Sequence, residues 1–358
     1  MGEEPAAPRF KMAKKKKNKG KGKNRSGLRR IVRYLVLGLL LFVIAWAVAG
    51  DWFVHHSRKW IDEQLEAYPA FVTAPLMFIG NPVGDITDAW AITGHDAVYE
   101  YDEPAPEGST LFAGAPKRTG FPAPNDIRVL DRGDFVVGWS DKLRHPVWCA
   151  YHVVKDACHE VGQRPNFIKD KSVESCPTGG AYERCGYDRG HMVPNYAMVT
   201  RYGDAVQKRT FLMTNIAPQS PALNRGVWRQ VEHRIADLWT ARYGEIWVIV
   251  GCISGDRGGE TLSGTDIDVP GKFYQVVVAQ EGLDIRAFAV LYEQEVPWDA
   301  WPTRYLITID ELEAMAGLDF LPDLPGFIQD PLEAELPSRL WPIRKLDIFK
   351  QIALRFRP

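Results

Sequence analysis

From about residue 108 the chain settles into short apolar runs separated by Gly, Asp and Pro, a texture that predicts strands. Ile127–Leu130, Phe135–Trp139 and Val147–Val154 are rich in Val, Trp, Tyr and Phe, and Glu245–Gly251, Lys272–Val278 and Ile285–Leu291 extend the series. One segment breaks to a helical period. Over about Arg225 to Tyr243, the apolar residues Trp228, Val231, Ile235, Leu238 and Trp239 fall at i, i+3, i+7, i+10 and i+11. Asn224 sits where an N-cap belongs and Gly244 where the chain should leave the helix. From Ile309 onward short helices alternate with proline-rich loops. This order of elements is mixed α+β.

The first hundred residues have a different pattern. Residues 1–30 are a basic tail rich in Lys, Gly and Asn, and Tyr34–Ala49 is a run of sixteen uncharged, mostly apolar residues. With Ile31, Val32, Trp52, Phe53 and Val54 the run reaches the roughly 20 residues a spanning helix needs. The basic flank predicts an N-terminal transmembrane helix over residues 31–54 with the tail cytoplasmic and everything beyond it extracytoplasmic. Ala47-Val48-Ala49 also has the small-residue pattern of a signal-peptide cleavage site, in which case the body is secreted. Residues 55–105 read as a juxtamembrane and linker region, and residues 106–358 as the main domain with a C-terminal extension.

Charge sharpens this division. Residues 1–33 carry thirteen Lys/Arg against two Glu, so the net charge of −1 leaves about −12 on residues 34–358. Such a body does not coat nucleic acid electrostatically, and a polyanion site there must be a local basic patch. Arg201, Lys208, Arg209, Arg225, Arg229 and Arg234 cluster in sequence and are candidates for one. The five cysteines include no CxxC pair. Outside the cytosol they allow two disulfides, with Cys176 and Cys185 the closest couple, or five free thiols.

Candidate chemistry centres on Gly186–Ala197, GYDRGHMVPNYA. Asp188, Arg189 and His191 lie within four residues, on a chain that Gly190 can bend, and place a proton acceptor beside a fixed cation. Asp131-Arg132-Gly133-Asp134 is nearly the same string without the histidine, and reads as a turn. Downstream, Asn215 lies in FLMTNIAPQ, and Asn224, Trp228 and Glu232 follow at i, i+4 and i+8 on one side of the helix. An amide oxygen and a carboxylate so placed suit a hydrated hard cation such as Mg²⁺. By position alone Asn224 is equally an N-cap, and Glu232 a solvated helix carboxylate. No HExxH, P-loop or Rossmann glycine pattern supports protease or nucleotide-dependent chemistry.

The DRGH stretch, then TNIAPQ, then N-x-G-x-W-x-x-x-E, closely resembles the DNA/RNA non-specific endonuclease family of ββα-metal (His-Me finger) nucleases. The likeness runs over roughly residues 108–300, and Val147–Val154 looks like the family's strand before the site. It implies an α+β fold with a mainly antiparallel sheet core and a ββα-metal motif. It also implies hydrolysis of DNA, and RNA with it, to 5′-phosphate ends, using one Mg²⁺ with Mn²⁺ able to take its place. By position His191 matches the general base, Asn224 the metal ligand, and Glu232 the carboxylate holding a water of the ion's shell. Asn215 matches a site asparagine, Arg189 the signature arginine, and Arg164 a substrate arginine, across an insertion-like stretch at Ser175–Cys185. A non-catalytic surface module that captures nucleic acid on a nuclease fold is the alternative, and a hydrolase of other phosphodiesters a third reading. Whether the chain is a monomer or a homodimer stays open.

Overall fold

The apolar runs form strands, in chain order β1 (Tyr99–Glu100), β2 (Lys117–Arg118), β3 (Ile127–Asp131), β4 (Phe135–Ser140), β5 (His145–Val154), β6 (Asp188–His191), β7 (Ile216–Gln219), β8 (Glu245–Ile253), β9 (Lys272–Glu281), β10 (Asp284–Glu293), β11 (Leu306–Ile307) and β12 (Leu318–Asp319). The computed structural model describes residues 98–101, 103, 108–255 and 259–342. The expected basic tail, transmembrane helix and most of the linker region lie outside the described residues. No helix among the described residues is long and apolar enough to cross a membrane. An eight-stranded sheet runs in the order β1-β10-β9-β8-β5-β4-β3, with β11 also on β10, while β2 pairs β12 and β6 pairs β7. Every pairing is antiparallel.

Both faces of the large sheet are covered, which explains why its strands read as unbroken apolar runs. Along β5, Cys149, Tyr151 and Val153 enter one core and Trp148 and Ala150 the other. Along β8, Val248 and Val250 alternate with Trp247 and Ile249 in the same way. The second core is closed by α4 (Ile309–Ala316) and α5 (Gly326–Ala334), numbered after three helices of the first face. Thr308 and Glu311 form a reciprocal capping box at the start of α4, and Gly317 ends it in the left-handed region.

The first face carries α1 (Asn195–Tyr202), α2 (Asp204–Thr210) and a long helical run over residues 221–243, α3. The stripe predicted from periodicity, Trp228, Val231, Ile235, Leu238 and Trp239, is the stripe buried against the sheet. Trp228 packs on Phe273 and Tyr292, and truncating so large a buried ring costs about 3–5 kcal/mol. The helix begins earlier than its apolar pattern suggests. Pro221 occupies the first turn, where a missing N–H costs nothing. The Asn224 N–H donates to the Ser220 carbonyl (2.9 Å), so Asn224 lies inside the helix and is not its N-cap. Two wide π turns, Leu223–Val227 and Arg234–Trp239, interrupt the α geometry, and Gly226 (φ −98°, ψ −114°) marks a kink in the first. Gly244, with φ 89°, ends the run as expected.

Asp131–Asp134 is the β3–β4 turn, where the Gly133 N–H donates to the Asp131 carboxylate at 2.7 Å. The five cysteines are free thiols, so the Cys176–Cys185 pairing is not formed: Cys185 donates to the Tyr182 carbonyl instead.

Candidate active site

The antiparallel β6–β7 pair, connected through α1 and α2, and the start of α3 form a ββα unit on the first face of the sheet. DRGH is not a bend. It is the whole of β6, registered Asp188 to Gln219, Arg189 to Pro218, Gly190 to Ala217 and His191 to Ile216. Gly190 is there for close approach: a Cβ would meet the Gln219 Oε1 at 2.5 Å, its Cβ at 2.6 Å and the Ala217 carbonyl at 3.1 Å. Gly190→Ala should therefore destabilise the domain by about 1–3 kcal/mol through overpacking. Chemical denaturation measures this, and an unchanged midpoint contradicts the account.

A cleft of about 760 Å³ opens at this unit, lined on one side by Arg164, Phe167, Arg189 and His191 and on the other by Asn224, Arg225, Arg229, Glu232 and His233. Thus five of the six site residues read from the sequence share it. His191 is wedged between Phe167 (5.3 Å between ring centroids) and Phe211 (4.8 Å), and its Nε2 is buried without a partner. A structural core histidine would have that nitrogen satisfied. Burial, and then the nearby Arg164 charge, push its pKa down to about 3, which keeps the imidazole neutral and able to accept a proton. The Arg164 guanidinium lies 5.3 Å over the Phe211 ring, which brings this exposed residue to His191 across 26 intervening residues.

The insertion-like stretch contributes a short turn, Gly179–Tyr182. Its Gly179 carbonyl accepts from Arg189 Nε (2.9 Å), and the same guanidinium lies 5.3 Å over the Phe167 ring. Arg189 is held at one edge and keeps its terminal N–H groups for the cleft.

On α3, the Asn224 Nδ2 donates to the Asp188 carboxylate at 2.8 Å, and Arg225 Nε donates to the same carboxylate at 2.7 Å. Burial alone would raise the Asp188 pKa, but the bonds from Arg225 and Asn224 outweigh it and hold the carboxyl ionised. Asp188 is therefore scaffolding that fixes the amide nitrogen and leaves the amide oxygen, the atom a hard cation takes. Glu232 accepts from Trp228 Nε1 at 3.0 Å. Its burial lifts the pKa to about 8, against the pull of Trp228 and Arg229. The Asn224 amide oxygen and the Glu232 carboxyl line the same cleft, and this pair of oxygen donors fits an oxygen-seeking divalent ion.

Asn215 is elsewhere. It is fully buried, with Nδ2 donating to the Val193 and Thr210 carbonyls (3.0 and 2.9 Å) and Oδ1 accepting from the Val193 N–H (2.9 Å). It is consumed in fastening the chain just after His191 and offers nothing to a ligand. The arginine cluster also divides. Arg201 and Arg234 are core residues, Arg201 bonded to the Val154 and Ala236 carbonyls and Arg234 set 5.1 Å over Trp301. Arg209 pairs with Asp134. Of that cluster Arg225 and Arg229 reach the cleft; Asn195 and Tyr196, at the end of the GYDRGHMVPNYA stretch, also line it, with Tyr182 and His233 unannounced by any motif.

Sequence comparisons agree with this geometry. The family model described as DNA/RNA non-specific endonuclease matches residues 113–327. A nuclease of Nostoc sp. is 26% identical over 60% of this chain and 80% of its own length. The mitochondrial endonuclease G of Bos taurus is 22% identical over 62% and 78%. The mitochondrial nuclease EXOG of Xenopus laevis is 28% identical over 51% of this chain, which spans only 54% of that relative. The ββα unit, the cleft and the match over 113–327 converge: this chain belongs to the DNA/RNA non-specific endonuclease family and is a nuclease, a hydrolase.

Proposed function

We propose that the chain is a metal-dependent, sequence-nonspecific endonuclease that hydrolyses DNA and RNA with Mg²⁺, or Mn²⁺ in its place, and leaves 5′-phosphate ends. The observation that carries this reading is the meeting of a neutral, unpartnered imidazole with an oriented amide oxygen and a half-buried carboxyl across one cleft. Asn224 would hold the ion, with Glu232 bonding the ion's hydration shell. A bound divalent cation would supply positive charge against the negative charge developing on the scissile phosphate and the departing 3′-oxygen. His191 takes the proton of the attacking water as the new P–O bond forms and the bond to the 3′-oxygen breaks. Arg189 and Arg164, anchored on Phe167, Phe211 and the Gly179 carbonyl, donate to the phosphate oxygens as their charge grows. Contacts of this kind address the backbone and carry little base preference.

Purified protein should degrade plasmid DNA and RNA with Mg²⁺ and lose that activity in excess chelator, and its products should lose 5′-label-blocking phosphate on phosphatase treatment. Absence of turnover with either ion would sink the reading. The basic residues 1–30 beside the apolar span 31–54 support a site anchored in a membrane and facing away from the cytoplasm. Mass spectrometry of the mature N-terminus tests this, and a start at Gly50 replaces the anchor by a cleaved signal.

A further inference from the structure

The helix α3 carries two parallel stripes. Asn224, Trp228 and Glu232 form the first, and Arg225, Arg229, His233 and Asp237, each one position on, form the second. The cations of the second stripe differ in their state. Arg225 is neutralised, paired with Asp188 through both oxygens of the carboxylate. Arg229 has no carboxylate contact of that kind and is exposed at the cleft. Its Nε donates to His233 Nε2 (3.2 Å). The His233 ring lies beside Tyr196, 5.5 Å between centroids, whose hydroxyl donates to Asp237 (3.0 Å). With Nε committed, the end-on fork of two NH₂ groups is what Arg229 presents, the geometry that grips a phosphate in two places.

We propose that Arg229, positioned by His233, forms a second phosphate subsite for the strand, holding a phosphate other than the scissile one. Arg229 follows Asn224 by five positions across the kinked turn, so its fork lies apart from the proposed ion site. A strand repeats its phosphates every few ångströms and presents another of them there. The inference rests on the nuclease reading above, and its test separates the two.

Binding of a single-stranded oligonucleotide to His191→Ala protein, which keeps the cleft but not the proposed base, is measured against NaCl concentration. Arg229→Gln in that background is expected to weaken binding about tenfold and to reduce the log–log salt slope by about 0.7, the loss of one released counterion. Arg229→Lys, which keeps the charge, is expected to restore the slope but not the full affinity. Unfolding midpoints should stay together, since the residue is exposed. An Arg229→Gln slope equal to that of its parent overturns the subsite alone. A His191→Ala protein with no salt-dependent binding at all would sink the nuclease reading instead.

Discussion

His191→Ala will lower the rate of Mg²⁺-dependent plasmid cleavage by about 10²–10⁴-fold, the range a positioned general base contributes. The fold should survive, because β6 is held by its ladder to β7 and by the Asn215 bonds just beyond it, not by the imidazole. Loss of contact with Phe167 and Phe211 should cost about 1–2 kcal/mol of stability. Equal activity in the variant would refute the assignment of the base. A second measurement tests why the ring is neutral. In ligand-free protein the His191 signals should not titrate between pH 5 and 8, where an ordinary imidazole does, because burial and Arg164 hold its pKa near 3. The sign for stability follows: the unfolded chain takes up this proton first, so stability is lost as pH falls from about 6.5 toward 3. Arg164→Ala should move the ring's titration upward, and no movement means that desolvation acts alone.

Asn224→Ala should be the other large loss, and its signature lies in the metal dependence. Removal of an outer partner of a metal site costs about 10–100-fold, so removal of the ligand itself should cost more, with half-saturation shifted to higher Mg²⁺. Asn224→Asp makes the argument finer. It keeps an oxygen for the ion but deletes the N–H that Asp188 accepts at 2.8 Å and sets one carboxylate against another. Recovery should be partial, better in high Mg²⁺ than in low. If Asn224→Ala leaves the Mg²⁺ profile unchanged, the ion is not held at this amide.

Much of this was readable before any coordinates. The strands announced themselves through Val, Ile and aromatic runs, and the α3 stripe through its spacing, because burial selects the same residue types whichever core they enter. The motif residues were legible for another reason: DRGH and N-x-G-x-W-x-x-x-E are local strings whose ends the ββα unit brings together. Three things were not legible. Sequence cannot say which way an arginine points, so Arg201 and Arg234 looked like groove residues although both are buried. It cannot separate a polar residue at a site from one that ties the site's backbone, and Asn215 is the second kind. Gly190 looked like a hinge, since a glycine in sequence advertises freedom, whereas here it provides room for Gln219. Nor did any pattern mark Tyr182 or His233, which line the cleft from the Gly179–Tyr182 turn and from α3.

The π turns of α3 make the helix unequal in its tolerance of length change. Eight positions separate Asn224 from Glu232 across the kinked turn at Leu223–Val227, and each residue turns a helix by about 100°. An indel of a single codon in the regular α stretch from Trp228 to Glu232 would swing the carboxylate out of register with the amide and dismantle the cleft while leaving the sheet intact. The wide turn at Arg234–Trp239 lies beyond both groups. A codon lost there could be absorbed by tightening to regular α geometry, at the expense of the Trp239 contact with Trp341. Heritable insertions and deletions in this helix should therefore gather toward its far end, where the reading frame of the chemistry has already been set.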